Sequence, residues 1–171
     1  MTVLATPDYF RQFAAYNGWA NRRLFDAAFR LDDAAYRKNR GAFFGSIHNT
    51  LNHLVAGDRI WLARLTATEH GIDRLDQILH DDPAQLRRAR EAEDARIVEF
   101  CAALDEARIA SILHYRTMSA GGRPGALPVA TVLAHLFNHQ THHRGQVHAM
   151  LTQVLPDTPP LDLLIYMMET G

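Results

Sequence analysis

Histidine is the residue in this chain best suited to chemistry: there are ten among 171 residues, several of them in the stretch HLFNHQTHHRGQVH from 135 to 148. His139 and His143 stand four apart, one turn of a helix, so their imidazoles project from the same face and can chelate one ion. That face is also apolar, because Val132, Leu136, Val147, Met150 and Val154 continue the same stripe. A lone core histidine usually finds a hydrogen-bond partner, but two stacked on one stripe ask for a network or a metal. Burying a ring nitrogen without a partner costs about 1 to 3 kcal/mol, and one cation satisfies a nitrogen on each ring at once. Spacing alone does not choose the pair, since His135 and His139 are also four apart and His142 and His148 are close by. The apolar phase favours His139 and His143, with His135 at the stripe edge and His142 turned about 100° from His143.

A chelating pair leaves coordination positions open, and SIHNTLNHLVAGDRIW offers two more imidazoles. His48 lies near a helix start, whereas His53 lies mid-helix beside the buried stripe, one turn before Gly57, so depth favours His53. Three neutral imidazoles from two helices describe the open site in which zinc lowers the pKa of water to about 7. Zn, Ni, Fe and Mn are all admissible on such a donor set. Asp58, inside the same stripe, has two readings: orienting or joining the ligands, or pairing with a buried arginine. Arg144, Asn49 and Asn52 are candidates for orienting a substrate. There is no HExxH, ExxH, GxSxG or P-loop, and Ser46, Ser111 and Ser119 sit in no nucleophile motif. Cys101 is alone, which excludes an internal disulfide and thiolate-rich zinc sites; on a mid-helix apolar face it reads as a small core residue.

The elements that must hold these residues are helices. Thr6 then Pro7 signals a helix start, and Phe10, Phe13, Asn17, Ala20, Leu24, Ala28 and Leu31 recur at three- and four-residue steps. Residues 36 to 45 read as a connection. Ser46 caps a second helix with the stripe Ile47, Leu51, Leu54, Asp58, Trp61 and Leu65. Residues 67 to 81 read as a loop, and Asp82 with Pro83 opens a third helix, about 83 to 106, whose RRAREAEDAR run predicts a half-solvated element. Residues 111 to 127 predict a loop with an extended segment, long enough for a crossover. Pro128 opens the fourth helix, and LDLLIYMM predicts a short final one. The chain is expected to form a single all-α domain: a four-helix bundle with a long crossover connection and a short extra C-terminal helix.

Hydrophobic residues make up 47% and charged residues 22%, the balance of an ordinary globule. A formal net charge of -1 provides no basic field, so no nucleic-acid or anionic-membrane partner is expected. Asp8 and Arg11 interrupt the beginning of the chain and no stretch approaches the roughly 18 apolar residues of a spanning helix, so a cytoplasmic location is expected.

Three segments carry a resemblance. YNGWANRRLFDAA (16 to 28), SIHNTLNHLVAGDRIWLARL (46 to 65) and NHQTHHRGQ (138 to 146) resemble the signatures of the DinB/YfiT family of damage-inducible-type proteins, in the expected order. The resemblance implies a four-helix bundle with a crossover, a homodimer, and a divalent ion on three histidines. In that pattern the ligands are His53, His139 and His143, in agreement with depth and phase. It also implies thiol-dependent chemistry, in which the metal activates a low-molecular-weight thiol such as glutathione, bacillithiol or mycothiol toward a small-molecule substrate. The isomerase-like branch carries Glu where His139 stands, which argues against maleylpyruvate chemistry here. A non-catalytic metal-binding stress-response protein acting through a partner is the competing expectation.

Overall fold

In a computed structural model that describes residues 5–118 and 122–171, the chain is mostly helical with one small sheet. Ser119 lies outside the described residues. The helices are α1 (Pro7–Ala28), α2 (Asp33–Arg37), α3 (Ile47–Thr66), α4 (Pro83–Ala102), α5 (Glu106–Ala110), α6 (Val129–Thr152) and α7 (Leu163–Thr170). Between α5 and α6, β1 (Ile112–Arg116) pairs antiparallel with β2 (Pro124–Pro128), Ile112 opposite Pro128. The predicted loop at 111 to 127 is thus largely a hairpin. None of the helices is long and apolar enough to cross a membrane, among the described residues.

Local chemistry starts each long helix where expected. The side chains of Thr6, Ser46 and Asp82 accept from the backbone N–H of Tyr9, Asn49 and Ala84, satisfying donors that a helix start leaves orphaned. The third predicted helix ends early: α4 stops at Ala102, and Asp105 caps the separate α5.

The four long helices meet in a ring, α1 against α4, α4 against α3, α3 against α6, and α6 against α1. Two apolar clusters fill it, one around Phe10, Leu62, Ile97 and Leu136, the other around Leu24, Leu54, Leu86 and Met150. Each fully buried side chain of this size contributes about 1.5 to 3 kcal/mol. Chain order across the clusters gives the directions: α1 and α6 run from the first cluster to the second, α3 and α4 the opposite way. Adjacent α3 and α4 are therefore parallel, and residues 67–82 must travel back along the ring to join them. That return, and not the segment after α4, is the lengthwise crossover.

Between the clusters lies a buried polar layer. Arg90 Nη1 stands 2.7 Å from Asp58 Oδ2 and Nη2 3.0 Å from Asp94 Oδ1. Asn17 and Asn21 donate to Asp94, and Glu93 pairs with Arg59 at 2.9 Å. The expectation of a half-solvated α4 fails at this layer. Arg90, Glu93 and Asp94 are buried because their opposite charges arrive from α3 and from within α4, which offsets the cost of desolvation.

Candidate metal centre

His53 comes from the middle of α3, and His139 and His143 from successive turns of α6. One ligand nitrogen of each lies within 4.8 Å of the others, and His53 and His143 are buried while His139 is partly open. His53 Nε2 stands 3.0 Å from His139 Nε2.

Backing contacts fix two of the tautomers. His53 Nδ1 lies 2.8 Å from the carbonyl oxygen of Leu75, an acceptor only, so Nδ1 carries the proton and donates. His143 Nδ1 donates likewise to Gln146 Oε1 at 2.8 Å. Nε2 is then the unprotonated nitrogen of each of these rings, and that of His53 faces His139 Nε2, the second-partner arrangement typical of metal-binding histidine. Leu75 belongs to the returning crossover, so the route of the chain is what supplies this carbonyl. Asn52 pins the same segment, its Oδ1 accepting from the backbone N–H of Leu79 and His80 at 2.9 and 3.0 Å. Phe44 stacks on the His53 ring, centroids 3.9 Å apart. Gly41 and Gly45, at φ 76 and 81, make the tight turn that brings Phe44 there.

The His139 ring lies directly on Gly57. A Cβ at that position would stand 2.9 Å from His139 Cε1, so the absence of a side chain is what lets the ring settle between α3 and α6.

Burial pushes the His53 imidazole down to about 4, helped by His143 and opposed by its bond to Leu75. Burial and the neighbouring imidazoles push His139 down to about 3, and burial lowers His143 too. All three are therefore neutral at pH 7, the form that donates to a metal. A cation held at about 2.0 to 2.1 Å from two ring nitrogens requires them to be roughly 3.0 to 3.4 Å apart, and the His53–His139 pair meets this. The donor set fits a divalent ion.

The chain matches the DinB family model over residues 1–170. It belongs to the DinB family. Protein DinB of Bacillus subtilis strain 168 is 24% identical over 176 residues, covering 95% of this chain and 96% of the relative. The crystal structure of a DinB-like protein from Bacillus cereus ATCC 10987 superposes with a TM-score of 0.67 at 20% identity, over 88% of this chain and 94% of that one, a likeness of fold.

In this DinB-family chain the other candidate residues go elsewhere. Asp58 does not touch the imidazoles: it pairs with Arg90 and accepts from Gln140 Nε2 at 2.5 Å. Burial pushes its carboxyl up to about 6 against the pull of Arg90, so it stays ionised at neutral pH. Leu75 and Gln146 take the orienting role instead. Arg144 is buried and donates to Asn17 within the polar layer, Asn52 holds the crossover, and Asn49 is an exposed residue of the first turn of α3. Trp19 packs under Tyr166 of α7, and Trp61 faces Tyr115 and His135. Cys101 is buried, its thiol pushed up to about 12 by burial, which removes it as a nucleophile. Sequence reasoning missed Gly57, Phe44, Gln146 and Leu75. Only Gln146 carried a usable signal, three residues after His143 on the same helical face.

A cavity of about 320 Å³ opens beside the cluster, lined by His53, Gly57, Trp61, Arg64, Tyr115 and His139 among others.

Proposed function

We propose that this protein binds one divalent ion through His53, His139 and His143 and uses it on a small molecule held in the adjoining cavity, as a thiol S-transferase or a hydrolase. The observation that carries the reading is the meeting of three neutral imidazoles, two of which are hydrogen-bonded away from the centre through Nδ1. A divalent ion there supplies Lewis-acid chemistry, lowering the pKa of a thiol or of water. The chain's own residues do the rest. Leu75 and Gln146 hold two imidazoles in the donating tautomer, Gly57 seats the third, and Phe44 shields the His53 ring. The ring of long helices, read as a four-helix bundle, keeps α3 and α6 at the spacing this requires.

Metal content of protein purified without an affinity tag tests the centre. About one Zn, Ni, Fe or Mn ion per chain is expected in the native protein and none in His139→Ala. Turnover of an electrophile with glutathione, bacillithiol or mycothiol tests the reaction. A folded His53→Ala protein that retains full turnover rejects the enzyme reading. We also propose a cytoplasmic homodimer, supported by Leu164 and Met168 of α7, which are 70% and 77% exposed. Light scattering checks the mass in solution.

A further inference from the structure

Among the described residues, Arg64 is the one cation lining the cavity beside the three histidines, and no Asp or Glu lines that cavity. Arg59, on the same helix, is paired with Glu93 at 2.9 Å. Arg64 has no carboxylate within ion-pair distance among the described residues; its Nη2 donates to the Arg116 carbonyl at 2.6 Å. A guanidinium has five N–H donors in a planar fork, so this bond leaves most of them available. The guanidinium is held in place by aromatic faces, 4.5 Å above the Trp61 ring and 5.2 Å from that of Tyr115. Trp61 and Tyr115 in turn meet edge to face, with centroids 5.2 Å apart. Gly125, opposite Tyr115 across the hairpin, leaves room for its ring, since a Cβ there would stand 2.6 Å from it. Partial burial lowers the Arg64 pKa, in keeping with a half-buried positive charge that has no carboxylate beside it.

We infer that this cavity binds a small organic acid, with its carboxylate on Arg64 and its apolar, preferably flat body against Trp61 and Tyr115. Arg64 lies two turns beyond Gly57, roughly 10 Å along α3, and helical side chains lean toward the helix N-terminus. An acid clamped there extends back toward His139. The cavity is at the small end for ligand sites and suits a compact acid, not a long peptide or a polymer. The inference rests on the proposed metal-dependent reaction for what the far end of the acid meets, but not for how its carboxylate is held.

The test uses benzoate and its neutral isostere benzamide, titrated against the zinc-loaded and the chelator-stripped full chain and read by calorimetry. Benzoate is expected to bind about tenfold or more tightly than benzamide in both forms, the worth of a charge-assisted bidentate bond. Arg64→Gln is expected to abolish the preference with its helical circular dichroism unchanged, and Arg64→Lys to keep part of it. Equal affinities in the unaltered chain overturn the inference, and that comparison decides even if Arg64→Gln does not fold. So does a preference that survives Arg64→Gln and vanishes on stripping, because the carboxylate then sits on the ion. A chain that takes up no metal but still prefers benzoate rejects the metal centre and keeps Arg64; a loaded chain without preference does the reverse.

Discussion

Replacing Gly57 by alanine isolates the seat of one imidazole. The new methyl carbon would stand 2.9 Å from His139 Cε1, 3.4 Å from Nδ1 and 3.8 Å from Nε2. Carbon atoms rest at about 3.5 to 4.0 Å, so the ring must withdraw by roughly 0.6 Å or more. His139 Nε2 already stands 3.0 Å from its counterpart on His53, and metal–nitrogen distances tolerate only about 0.2 Å. The expected outcome is a 10- to 100-fold loss of zinc affinity, about 1.4 to 2.8 kcal/mol, comparable to removing a partner that orients a ligand. Fold stability should not follow, because alanine is the better helix former by about 1 kcal/mol and offsets part of the crowding. Competition against a chromophoric chelator gives the affinity, and thermal melting of the stripped protein gives the stability. Unchanged zinc affinity in a normally folded Gly57→Ala protein would refute the seating of His139 on Gly57.

Other outcomes follow from the same structure. In stripped protein, stability should fall as pH drops from about 6.5 toward 4, because His53 and His139, held down to about 4 and about 3, stay neutral while the unfolded chain takes up protons. The two imidazoles weaken the fold as pH falls through that window, and Asp58, raised to about 6, opposes part of the loss, so urea midpoints should decline; a flat profile contradicts neutral buried rings. Asp58→Ala leaves Arg90 buried beside a lost counter-ion and should cost about 3 to 5 kcal/mol in urea unfolding; a loss under about 1 kcal/mol would show that the pair carries little. Ala67 ends α3 in the left-handed region at φ 54, so Ala67→Gly should raise the melting temperature by a few degrees, about 1 kcal/mol of relieved strain. No rise would mean that the chain relaxes that turn without help.

What the sequence determined by itself was local. The starts of α1, α3 and α4 were legible in Thr6, Ser46 and Asp82 because a cap is a contract between residues two or three apart. His139 and His143 were legible as a pair because one turn of helix makes them neighbours whatever the rest of the chain does, and His53 followed from its mid-helix position beside an apolar stripe. Tertiary structure alone decided which groups stand behind those rings. Leu75 reaches His53 because parallel α3 and α4 force the intervening segment back along the ring, a consequence of topology that no spacing encodes. The RRAREAEDAR run reads as half-solvated until Asp58 and Arg59 arrive from another helix to neutralise Arg90 and Glu93. Arg64 acquires its place between Trp61 and Tyr115 only when the hairpin folds over α3. Charge burial and side-chain seating depend on partners far away in the chain, and only packing brings those partners within reach.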